Sequence, residues 1–73
     1  MTAKHDAARV FGLIHQAGPL GATANELAAW TGMALNVVEQ HLRTLRRLGK
    51  VQRTTTHRTT HPGTSAPVYI EAA

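Results

Sequence analysis

Asn36, Gln40, Arg43 and Arg47 recur at steps of four, three and four residues along "LNVVEQHLRTLRRLG". On a helix this spacing puts two amides and two guanidinium groups on one narrow stripe. The chemistry open to such a row is base-edge recognition. Asn and Gln pair with adenine N6 and N7, and Arg pairs with guanine O6 and N7. Asn36, Gln40 and Arg43 fall on the first outward turns and are the candidate base readers, whereas Arg47 lies one turn further along and suits a phosphate. Glu39, four residues before Arg43, is expected to pair with it rather than to accept from cytosine N4. A solvated helix face could carry the same residues, so the stripe's meaning depends on what holds it.

Charge narrows the choice of partner. Residues 1–36 carry Lys4 and Arg9 against Asp6 and Glu26, which nets to zero. Residues 37–73 carry all of the +4 excess, and no acid interrupts the run from Arg43 to Arg58. This asymmetry suggests a polyanion. Arg46, Arg47, Lys50, Arg53 and Arg58 are candidate phosphate contacts, with the side chains of Thr55 and His57 beside them. If five or six phosphates were neutralised, log affinity would fall with log salt at a slope near −5.

The elements that must position these groups can be read in order. Val10, Leu13, Ile14 and Ala17 recur at helical spacing between Asp6 and Ala17, and Gly18-Pro19 stops that helix. Thr23 and Glu26 form a capping-box pair that opens a second helix, which reaches about Thr31 and ends at Gly32. The third helix spans about 35–48, stops at Gly49, and turns Val38, Leu42 and Leu45 to the side opposite the polar stripe. "KVQRTTT" and "PVYI" read as two strands. The threonine-rich stretch between them is then a polar hairpin loop, about 56–66, turning at Pro62-Gly63, with Arg58 nearest its tip.

Several function classes find no support. Seventy-three residues make one domain, 1–73, with its core within about 7–70. No cysteine is present, so disulfides and cysteine zinc sites are excluded. His57 and His61 stand four apart in an extended segment without a nearby acid, so no metal is expected, and no cofactor either. Paired carboxylates, a nucleophile with its base and a phosphate loop are all missing, so an enzyme is not expected. Asp6 breaks the opening residues before any apolar run forms, so neither a secretory signal nor a membrane span is expected. The expected location is the cytoplasm, at the nucleoid when bound to DNA.

Helix, helix, turn, helix and hairpin follow the order of an α+β winged helix-turn-helix, with a short third strand near residues 20–22 as an option. The stretch "TANELAAWTGMALNVVEQHLRTLRRLGKVQR" resembles the DNA-binding unit of MarR- and ArsR-type bacterial repressors. Thr23, Glu26, Leu27, Ala28, Gly32, Met33, Val38, His41, Leu42, Leu45, Gly49, Val51 and Arg53 stand in the matching places, and "APVYI" matches the strand that closes the wing. The likeness covers about Ala7 to Ile70.

What the resemblance implies is a small transcriptional regulator of double-stranded DNA, a repressor type of phage or bacterial origin. Its third helix would enter the major groove, and its wing would lie on the backbone or, through Arg58, in the minor groove. A homodimer or cooperative array would extend the short site that one helix reads. His41 would pack between helices. Three residues depart from the pattern or extend it. Thr31 stands where an aliphatic residue is usual, Ala34 replaces a capping hydroxyl, and Trp30 is expected to be partly buried. The alternative is a protein-interaction module, with Trp30, Leu20 and Leu35 as its surface.

Overall fold

Three helices come first and a hairpin last in the computed structural model, which describes residues 3–61 and 64–72. Helix α1 spans Ala3–Ala17, α2 Ala24–Thr31 and α3 Leu35–Arg47. Strands β1, Val51–His61, and β2, Thr64–Glu71, pair antiparallel. A 3-10 turn, Gly18–Leu20, joins α1 to α2. This is the expected α+β layout of a winged helix.

Local chemistry sets the helix boundaries. The hydroxyl of Thr23 accepts from Glu26 N at 3.1 Å, and the Glu26 carboxylate accepts from Thr23 N at 2.9 Å, so the capping box is closed on both sides. Gly32 ends α2 at φ 78°, and its N–H donates to Ala28 O at 2.9 Å. Thr31 serves the same turn. Its hydroxyl donates to Leu27 O at 2.7 Å and accepts from Met33 N at 3.2 Å, which explains a polar residue at a half-buried place. Ala34 caps α3 with backbone alone, its carbonyl accepting from Val37 N and Val38 N at 3.1 Å.

Val10 and Ile14 of α1, Leu27 of α2, and Val38, Leu42 and Leu45 of α3 meet in one buried cluster. Ala22 joins that cluster from the loop before α2, and Val51 from β1. Each fully buried Val, Leu or Ile contributes roughly 1.5–3 kcal/mol. The core is small, so each of its members matters.

The hairpin departs most from expectation. Instead of a loop over 56–66, β1 continues through the threonines to His61, with β-branched residues suited to extended backbone. The extra residues are absorbed by a bulge. Arg53 faces Tyr69 and His57 faces Pro67, so residues 54–56 lie opposite Val68 alone. Thr54 fastens the bulge, its hydroxyl donating to Val68 O at 2.9 Å and accepting from Thr56 N at 3.1 Å. Pro67, which has no N–H to give a ladder, sits beside this irregularity. The expected turn at Pro62-Gly63 lies outside the described residues.

The optional third strand is reduced to one bridge. Ala22 and Tyr69 exchange both backbone hydrogen bonds, at 2.9 and 2.8 Å. Gly21 just before it has φ 66°, and a Cβ there would come within 2.5 Å of Tyr69 O and of a Val68 methyl. Only glycine fits so close a passage. Thr23 turns into the α2 cap on the other side, so the pairing cannot extend.

Candidate nucleic-acid interface

The buried side of α3 fixes its outer side. With Val38, Leu42 and Leu45 in the core, Asn36, Gln40, Arg43 and Arg47 are exposed, as is Arg46. Glu39 is exposed too, but the expected pair with Arg43 does not form. Among the described residues the ion pairs are His15–Glu71 and Arg58–Glu26. Arg43 therefore makes no ion pair among the described residues.

Leu48 and Gly49 turn the chain so that β1 leaves beside the end of α3. This brings Arg43, Arg46 and Arg47 together with Val51, Gln52 and Arg53 around an open concavity of about 480 Å³. Four of the expected nucleic-acid contacts thus share one place. Arg53 and Gln52 are exposed at its β1 wall, and buried Val51 forms its floor.

Two other cations do not belong to it. The Lys50 ammonium lies over the Phe11 ring of α1, 5.8 Å from the centroid. Arg58, expected to reach outward from the wing, folds back. Its Nη1 donates to both oxygens of Glu26, at 2.6 and 2.8 Å, and its Nη2 donates to Leu20 O at 2.5 Å. The expectation of a free guanidinium for a minor groove is thereby corrected, because a carboxylate and a carbonyl outcompete solvent for it. Burial pushes the Glu26 carboxyl up, but Arg58 and the Thr23 N–H outweigh it and hold the group below the ordinary glutamate value.

Thr55 and His57 are exposed on the hairpin, and His57 Nδ1 donates to Thr55 O at 3.2 Å. Trp30, expected to be partly buried, keeps 52% of its surface exposed, and it borders shallow hollows with Leu13 and Gln16 of α1. Leu20, Leu35 and Leu48 are exposed as well. His41 is half-buried, and its Nε2 has no partner among the described residues.

Sequence reasoning saw Glu26 only as a cap. Its second role, binding Arg58, joins residues 32 apart and carries no local signal. Gln52 was also missed, although its place between Val51 and Arg53 on an alternating strand could have shown it. No helix among the described residues is long and apolar enough to cross a membrane.

The fold and this arginine-lined surface together define a winged-helix-like α+β domain with one strongly basic side. Comparison with family models, with curated proteins and with solved structures returns no match.

Proposed function

We propose that the chain binds double-stranded DNA as a small transcriptional regulator of the cytoplasm, with α3 in the major groove. One observation carries this reading. The exposed stripe of α3 runs from Asn36 and Gln40 into Arg43 and Arg47, which also line the concavity. Base-edge donors and phosphate-binding groups thus continue into one another along a helix whose opposite side is core. The likeness of residues 23–53 to MarR- and ArsR-type units supports the same assignment. Asn36, Gln40 and Arg43 would face base edges, and Arg46, Arg47 and Arg53 the backbone, with Lys50, Thr55 and His57 at the margin. A dimer or cooperative array on repeated half-sites would supply specificity that one helix lacks.

The test is fluorescence anisotropy on a duplex library at several salt concentrations. The three arginines assigned to the backbone imply a slope of log affinity against log salt of about −2.7, shallower than the whole run of cations would give. A slope flatter than about −2 would mean that these arginines are merely solvated.

The exposure of Trp30 favours a second reading, a protein-interaction module. Trp30→Ala would then abolish capture of a partner while leaving any duplex binding unchanged.

A further inference from the structure

The concavity between α3 and β1 holds four guanidinium groups, and among the described residues none of them makes an ion pair. Arginine stays charged at any physiological pH, so the cluster cannot relieve its repulsion by losing protons. Complementing the negative end of α3 accounts for Arg46 and Arg47 in its last turn. It does not account for Arg43, a turn earlier, or for Arg53, which comes from the other wall. Convergence from two elements is what a ligand site requires and what dipole balance does not.

The lining also says which ligand. Planar guanidinium forks match phosphate oxygens two at a time, and four of them call for more than one negative charge. Gln52 adds a neutral amide that can donate to a further oxygen. Val51 is the one apolar residue of the lining, and no aromatic ring is present on which a base could stack. The lining therefore suits phosphate and offers a nucleobase no aromatic ring to stack on. A volume of about 480 Å³ is ample for two or three linked phosphates.

We propose that this concavity is a binding site for a compact, multiply charged phosphate group, as in pyrophosphate, short polyphosphate or the phosphate tail of a nucleotide. The phosphates of a nucleic-acid backbone present the same chemistry. Where the duplex reading holds, on which this last part rests, the small anion excludes DNA from the same arginines and so regulates it.

The experiment is an NMR titration of the full chain with inorganic pyrophosphate, against sodium chloride at matched ionic strength. Saturable shifts, fitting one ion per chain and centred on residues 43–53, are expected. Arg46→Ala and Arg53→Ala should each weaken binding about tenfold. Gln52→Glu, which puts a carboxylate into the lining without touching the core, should abolish it. Arg9→Gln, which removes one charge on α1, should leave it unchanged. Shifts that only track ionic strength, or an equal loss in Arg9→Gln, would overturn the site.

A second arm adds pyrophosphate to a bound duplex at constant ionic strength, and displacement is expected. A duplex that binds where pyrophosphate never saturates sinks the anion site and spares the duplex reading. Saturable pyrophosphate with no duplex binding does the reverse. A ternary complex with both bound would overturn the exclusion.

Discussion

A single carboxylate, that of Glu26, closes the cap of α2 and holds the guanidinium of Arg58, which arrives from the hairpin 32 residues away. Glu26→Gln keeps a side-chain acceptor for Thr23 N, since Gln serves a capping box nearly as well. It removes the charge that Arg58 faces. The pair is partly exposed, so screening limits the loss to about 1–2 kcal/mol. The pH dependence follows from the lowered carboxyl. Because the folded value lies below the ordinary 4.5, Glu26 stabilises the fold fully above that value. The contribution disappears as pH falls through the folded value. Thermal melts of the two proteins should therefore differ at pH 7 and converge in strong acid. A gap that persists unchanged at low pH would show that packing, not charge, makes the difference.

At the level of the elements, α3 divides a buried face from the exposed stripe proposed to read DNA. Gln40→Ala should leave the melting temperature within a degree or two, because the side chain is exposed. It should weaken a cognate duplex by roughly 1–3 kcal/mol and random DNA much less. Val38→Asp buries an unpaired charge in the core and should abolish folding. Circular dichroism with binding to both DNAs distinguishes the two. The faces of α3 were legible in the sequence because helix periodicity is local, and so were the Thr23–Glu26 cap and the Gly32 turn. The hairpin was legible as a pair of strands but not in its extent. Threonines serve extended ladders and polar loops equally well, and nothing in "RTTTHRTT" announces that residues 54–56 bulge against Val68. The positions of Lys50 and Arg58 were not legible at all, because Phe11 and Glu26 reach them only through the tertiary fold.

For the whole molecule, six cations between residues 43 and 58 reduce to four that face outward without a partner carboxylate or ring. Net charge alone would treat Arg53 and Arg58 as equivalent, whereas the structure separates them. Arg53→Ala should make the salt slope shallower by about one unit at unchanged stability. Arg58→Ala should lower the melting temperature and leave the slope alone, since its charge is already matched by Glu26. Anisotropy across a salt series, paired with melts, measures both. An unchanged slope in Arg53→Ala would place the phosphates elsewhere on the surface.

The bridge between Ala22 and Tyr69 has a kinetic meaning. It joins the segment before α2 to the last strand, and Gly21 lets the two backbones touch there. Closing so long a loop costs chain entropy that none of the three helices has to overcome, so this contact is expected to form late in folding. Opening it would expose Ala22, which is fully buried, and break both its hydrogen bonds to Tyr69 at once. The amides of Ala22 and Tyr69 should therefore exchange with deuterium at one common rate, that of global unfolding, while exposed Thr55 in the β1 bulge exchanges far sooner. Gly21→Ala should raise the common rate, since a Cβ there would meet Tyr69 O and a Val68 methyl. A common rate at the two amides would mean that this clasp makes the helices and the base of the hairpin open together.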